Sequence, residues 1–285
     1  MSRLPLVKLC LSMIIFGTIG LAVRFTSAES GFVASMRGIL GGLFILLFIF
    51  ATKKKPDFKN IRRNLPLLIC SGAAIGINWI FLFEAYNHTT IAVATLCYYM
   101  APVFVILASP IVLGAKITRQ KYIAAAVAVV GMFLVSGVNG GGSVRGVLLA
   151  LGAALMYTTL TILSKKLTDI SPYDTTVVQL LTAGIILLPY TIFAESNNMS
   201  ALDGVDILII LLTCLLHTAV AYLLFFSAVR DLPAETVAIF GYLDPIVAVI
   251  CSLILRELMT IATGIGGVLI VASLILSEIN LKRPK

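Results

Sequence analysis

Ten apolar runs follow one another along the chain, at roughly 4–23, 31–52, 64–86, 91–113, 120–138, 144–164, 173–194, 205–228, 234–255 and 259–278. Each is close to the twenty residues that a helix needs to cross the hydrocarbon core of a bilayer. The runs are continuously apolar rather than alternating, which excludes a transmembrane β-barrel. The connectors are short and leave no room for a soluble domain. With a mean hydropathy of +1.07 and 12% charged residues, against the ~25% of ordinary soluble domains, the chain lacks the polar surface to cover a globule. The expectation is an all-α integral membrane protein with ten transmembrane helices. The first run, "LPLVKLCLSMIIFGTIGLAV", is read as a retained helix rather than a cleaved signal, because it is long and its cleavage site is poor.

The net charge of +8 does not point to nucleic acid, because of where the basic residues sit. They cluster in connectors such as "KKKPDFKNIRR" (Lys53 to Arg63) and "KITRQK" (Lys116 to Lys121), and cytoplasmic loops retain Lys and Arg. Placing both termini in the cytoplasm puts 17 of the 21 basic residues on that side. Arg24, Arg145 and Arg256 lie outside and Arg37 within the second span. The expected location is a bacterial plasma (inner) membrane, with anionic lipid headgroups as further partners of the basic connectors. Cys10, Cys70, Cys97, Cys214 and Cys251 all fall in apolar runs without metal-ligand spacing. They are read as small buried helix residues, and no metal or cofactor site is expected.

An internal repeat is visible between "YYMAPVFVILAS" (Tyr98 to Ser109) and "GYLDPIVAVICS" (Gly241 to Ser252). At an offset of 143, Tyr99 falls on Tyr242, Pro102 on Pro245 and Ser109 on Ser252; carried back, Phe83 falls on Phe226 and Ala85 on Ala228. The offset is half the chain and joins the fourth span to the ninth and the third to the eighth. Residues 1–138 then form one five-helix repeat and 144–285 a second, with "NGGGS" (139–143) as a flexible linker. Five is odd, so the halves insert upside-down to each other. Inverted repeats of this kind build a midplane site and work by alternating access. The alternative is that apolar helices resemble one another by composition.

With Tyr-x-x-Pro in the fourth and ninth spans and "SMRGILGGL" (Ser35 to Leu43) in the second, the chain resembles the drug/metabolite transporter superfamily, EamA branch. The ending "LRELMTIATGIGGVLIVASLIL" (Leu255 to Leu276) is similar to that family's Glu-containing turn before a glycine-rich last helix. Departures are Gly114 where Glu257 stands in the second half, and Gln179 where Arg37 stands in the first. The resemblance implies eight helices around a central cavity with the fifth and tenth outside it. It also implies outward transport, of a substrate that the family alone does not name.

Asp244 is the most informative embedded residue. An ionised carboxylate at mid-depth costs roughly 3 kcal/mol, so it must meet a wet cavity or a partner. It is a candidate for a substrate's cationic group or a coupling proton; the alternative is a helix-packing Asp. Pro102 and Pro245 remove helical hydrogen bonds at matched places and are candidate hinges. Thr95, Tyr98, Tyr99 and Pro102 share one helical face. Tyr157 begins a polar stripe on the sixth span, Trp79 and Tyr222 match across the repeat, and Asn78 and His217 share their helices. With Tyr242 and Arg37, these residues form the expected substrate site; interfacial anchoring and plain packing are the other readings for the rings. Arg37 draws an anionic group inward or snorkels. Glu84 is a second coupling candidate, or merely interfacial.

One acid, one base and several rings suit a zwitterion. The leading expectation is therefore a secondary transporter of small organic solutes, amino acids or related metabolites, acting as a monomer or weak dimer without cofactors. Protons are the candidate coupling ion. Export of drugs or organic cations is the alternative within the same class. An intramembrane lipid-modifying enzyme lacks paired acids or a metal cluster, a channel lacks a filter, and no P-loop is present to use ATP directly.

Overall fold

The apolar runs leave the backbone only one way to satisfy its polar groups in lipid, which is to close them within helices. A computed structural model describes residues 4–52, 56–114, 116–135, 143–193, 195, 202–229, 231–232 and 234–278, and among them every regular element is helical. In chain order these are α1 (Leu4–Gly17), α2 (Ile19–Arg24), α3 (Ser30–Ala51), α4 (Phe58–His88), α5 (Ile91–Tyr98), α6 (Ala101–Leu113) and α7 (Arg119–Val135). Then come α8 (Val144–Ser164), α9 (Pro172–Phe193), α10 (Gly204–Cys214), a π-helical turn (Leu215–Val220), α11 (Ala221–Val229), α12 (Ala234–Gly241), α13 (Leu243–Ile254) and α14 (Ile261–Glu278).

Among the described residues, seven stretches are long and apolar enough to cross a membrane: Leu4–Arg24, Ser30–Ala51, Phe58–His88, Ile91–Leu113, Val144–Ser164, Pro172–Phe193 and Gly204–Ala228. Leu243–Ile254 and Ile261–Ser277 are shorter apolar helices. The run 234–255 divides because Tyr242 ends one helix and starts another. Residues 139–142 of the glycine linker lie outside the described residues, and Ser143 caps α8 by accepting the Gly146 amide. Asp57, Thr90 and Asp203 likewise satisfy free amides at the starts of α4, α5 and α10. At Asp57 the Asn60 backbone N–H, with the Asn60 side chain, holds the carboxyl below its ordinary range.

Packing contacts exchange between the two halves. α4 packs on α8 as α11 packs on α1; α5 and α6 pack on α8 as α12 and α13 pack on α1. Two pairings join equivalent places, α3 with α9 and α7 with α14, and the fourth span meets the ninth through α5 and α13. Two of these depend on glycine. A Cβ on Gly38 would collide with the backbone of Gly184 on α9, and one on Gly266 with the carbonyl of Gly131 on α7. Such close approach maximises dispersion contact where lipid gives helices no hydrophobic reason to associate.

The prolines interrupt the helical ladder inside spans whose backbone stays right-handed, with Met100 and Tyr242 in the αR region. α5 stops at Tyr98, and Pro102 lies in the first turn of α6; α12 stops at Gly241, and Pro245 lies in the first turn of α13. A first-turn proline deletes an N–H that has no helical partner anyway. Asp244, in the same turn, sits at the positive end of the α13 dipole. The adjacent acid and proline are thus a helix start placed inside an apolar run. One cysteine also differs from expectation: Cys70 is exposed on the outer face of α4, whereas Cys97, Cys214 and Cys251 are buried and Cys10 is half-buried.

Candidate functional site

A cavity of ≈ 410 Å³ opens between the halves. Its walls come from α1 (Met13, Phe16), α2 (Ile19), α3 (Arg37), α4 (Asn78, Trp79, Leu82, Phe83, Tyr86), α5 (Thr95, Tyr98), α6 (Ala101, Pro102) and α8 (Tyr157), with Tyr99 at the α5–α6 break. α11 adds Tyr222 and Phe225, α12 Val237 and Gly241, and the start of α13 Tyr242 and Asp244. No described residue of α7, α9 or α14 reaches it. The volume lies in the range of small-molecule pockets, which combine apolar and aromatic walls with a few placed polar groups.

The polar groups are positioned by their helices. Arg37 is 4% exposed; its guanidinium lies 4.2 Å above the Trp79 ring and 5.3 Å from that of Phe83, and its Nε donates to Thr218 Oγ1 at 3.1 Å. Asp244 has no ion-pair partner among the described residues. The Tyr99 hydroxyl donates to the Gly241 carbonyl at 3.3 Å and borders the Asp244 carboxylate. Asn78 donates to the Ala153 carbonyl at 2.6 Å, fixing α4 to α8. Tyr98 sits edge-on to both Tyr99 and Tyr157, at centroid distances of 6.1 and 5.7 Å.

The two ends of the cavity differ. Its floor, made by Phe83, Tyr86 and Thr95, is buried, and the Tyr86 hydroxyl lies 3.3 Å from that of Thr95. Tyr157, further toward the end carrying the basic connectors, is 41% exposed. Beyond the floor the helix ends are tied together. Arg24 pairs with Glu257 at 2.7 Å and donates to the Thr89 carbonyl at 2.5 Å. Glu257 also accepts the Ile91 amide at 2.7 Å and the Ser252 hydroxyl at 2.5 Å. Beside this latch, Asp206 accepts the Ser27 amide and the Thr26 and Ser27 hydroxyls. Glu195 accepts the Gly31 amide at 2.6 Å, and burial raises its carboxyl above the ordinary 4.5.

Among the residues expected at the site, Asp244, Tyr98, Tyr99, Tyr242, Trp79, Asn78, Tyr157, Tyr222, Arg37 and Pro102 all line the cavity. Three do not. His217 points instead at α1, its Nε2 lying 3.0 Å from the Thr18 hydroxyl where α1 gives way to α2, from within the π-helical turn. Glu84 lies at the far end of α4 beside His88, 3.9 Å from its ring and outside the cavity. Pro245 is buried against α14, in a separate apolar groove. Sequence reasoning missed the π turn, Thr218 as the partner of Arg37, and the Arg24–Glu257 pair. Only the last left a trace, a charged turn between two apolar runs. Gln179, one position before the residue that the offset of 143 sets against Arg37, donates to Ser71 and Ser164 and does not line the cavity.

Comparison with known proteins places this architecture. The model of the EamA-like transporter family matches the chain twice, over residues 4–137 and again over 144–279. An uncharacterized transporter of Bacillus subtilis, YxxF, is 30% identical over 86% of this chain and 79% of its own length. An uncharacterized transporter of Archaeoglobus fulgidus is 24% identical over 94% and 93%. A solved crystal structure superposes with a TM-score of 0.69 over 97% of this chain and 96% of its own, at 17% identity, and so shares the fold. The chain belongs to the EamA-like transporter family, within the drug/metabolite transporter superfamily.

Proposed function

We propose that this protein is a secondary transporter that moves small organic solutes, amino acids or related metabolites, out of the cell by alternating access. The observation that carries the reading is the cavity: an aromatic-walled space of ≈ 410 Å³ with Arg37 and Asp244 on its lining, ending in a buried floor. The double family match and the exchange of helix contacts between halves support ten membrane spans arranged as two inverted repeats, 1–138 and 144–285. With the basic connectors and both termini on the cytoplasmic side of a bacterial plasma membrane, the cavity faces inward and the Arg24–Glu257 latch closes the outer side. Opening then requires the helix starts at α6 and α13 to pivot, since both meet the cavity where their helices are already broken. Asp244 is the group that accepts a coupling proton or a substrate ammonium, because it alone among the described acids lines the cavity. Glu84, outside the cavity, is not assigned this role.

The test is solute exchange in proteoliposomes with and without an imposed proton gradient. Asp244→Asn, which keeps shape and removes charge, lowers transport at least about tenfold, as expected for a charge whose loss is worth 1.4 kcal/mol or more. Unchanged transport in that variant under both conditions would remove Asp244 from the mechanism.

A further inference from the structure

We infer that Arg37 is an anion anchor, and that the transported solute carries a carboxylate which docks on it. The inference rests on the transporter reading and narrows it. A guanidinium has five N–H donors in a planar fork. At Arg37 the Nε–H is used by Thr218, whose own hydroxyl donates to the Thr213 carbonyl and so leaves its lone pairs for the arginine. Trp79 and Phe83 hold the guanidinium by cation–π contact. Among the described residues, no carboxylate pairs with Arg37 and no acceptor meets its two terminal nitrogens. Neither nitrogen is sealed from the cavity, since the buried atoms without partners are Glu195 Oε2 and His217 Nδ1.

A cation held edge-outward in this way suits bidentate recognition of a carboxylate. Charge balance favours that group over a phosphate. One guanidinium neutralises one negative charge, and the Asp244 carboxylate on another wall disfavours a second. A solute with a cationic or donor group for Asp244 and a carboxylate for Arg37 leaves the loaded cavity near neutral. An organic cation without an acidic group leaves Arg37 unmatched.

The chain has one tryptophan, and it is the ring beneath the guanidinium, so Trp79 emission reports on this site directly. The experiment titrates the purified full-length protein with L-leucine, L-phenylalanine and L-lysine, each against its own amide. Where an acid binds, it shifts Trp79 emission saturably and its amide binds at least tenfold more weakly. Arg37→Gln abolishes that preference. Thr218→Val, which only frees the Nε, weakens the acid severalfold and leaves the amide unchanged, and serves if the first variant does not fold. Silence of Trp79 toward every acid, equal response to acid and amide, or an acid preference that survives Arg37→Gln would overturn the inference. In liposomes the two readings separate. Transport that ignores the carboxylate removes the anchor and leaves the transporter, whereas acid-selective binding without any solute movement does the reverse.

Discussion

Replacing Glu257 by glutamine removes one negative charge from the latch while keeping its size. In the closed state the carboxylate receives Arg24 on Oε1 and the Ile91 amide and Ser252 hydroxyl on Oε2. The Ser252 bond is within five residues and travels with Glu257 in any movement of α13. The other two cross to α2 and α5 and must break when the outer side opens. A hydrogen bond to a charged group contributes about 1.5–3 kcal/mol and a neutral one about 0.5–1.5 kcal/mol, so a glutamine that keeps its one acceptor oxygen on the Ile91 amide weakens that bond by about 1 kcal/mol, while its Nε2 faces Arg24 and that pair is lost. The Arg24 side chain is 31% exposed against 11% for Glu257, which places its share at the lower end. The sum is about 2 kcal/mol, or about 30-fold in the ratio of outward-open to closed molecules. The assay is the labelling rate of Thr95→Cys on the cavity floor by a membrane-impermeant maleimide applied from outside, with the five native cysteines replaced. Glu257→Gln accelerates labelling about 30-fold, Arg24→Gln by a similar or smaller factor, and the double variant by less than the product. Labelling unchanged in both single variants, with melting temperature also unchanged, would show that these residues do not hold the outer side shut.

Other expectations follow from packing and from one outer-end carboxyl. Gly184→Ala places a Cβ 2.6 Å from the Ile39 amide nitrogen and costs about 1–2 kcal/mol after the helix-propensity gain of alanine; Gly264→Ala meets open space and is neutral or stabilising, so opposite shifts in melting temperature check the pair. At Glu195 burial raises the folded pKa, so the protonated form is favoured and the stability it gives is lost as pH rises through that value. Glu195→Gln therefore raises the melting temperature at pH 8 and makes no difference below about pH 4, where the carboxyl is protonated in both states; a gain that is the same at both would refute the assignment.

What could be read from the chain was whatever lies along one helix. The apolar runs persist over about twenty residues, and the shared face of Thr95, Tyr98, Tyr99 and Pro102 needs only helical geometry, so all four reach the same cavity. The matched Trp79 and Tyr222 needed only the offset of 143, and both line the same space. What could not be read depends on distant partners. Arg37 and Thr218 are 181 residues apart, and Thr18 and His217 are 199 apart; nothing local to either pair signals the other. His217 is grouped with Tyr222 only because they share a helix, and five residues apart they lie about 140° round an α-helix, so the shared helix does not imply a shared face. Asp244 and Pro245 look costly when the run is taken as one helix and become ordinary once a helix begins there.

The two halves also differ where their turns correspond. After α6 the Gly114 amide donates to the Ser109 carbonyl, and after α13 the Glu257 amide donates to the Ser252 carbonyl in the same way. The two turns share that hydrogen bond at an offset of 143, but the left-handed residue is Gly114 in one and Arg256, at φ 55°, in the other, and one half carries a carboxylate where the other has no side chain at all. Gly114 has φ +64°, and a Cβ added there would meet nothing within 4 Å. Space for a larger side chain is therefore present, and the obstacle is a left-handed backbone that costs a non-glycine residue about 1–2 kcal/mol. Under the alternating-access reading, an inverted pair of equal turns gives two latches of equal strength and no preference between states. With Glu257 on the outer side and Gly114 on the inner, the closed outer side is held by charge-assisted bonds that the inner side does not match at that position. If the proposed orientation and export hold, the resting protein is biased to face the cytoplasm, the side from which an exporter loads.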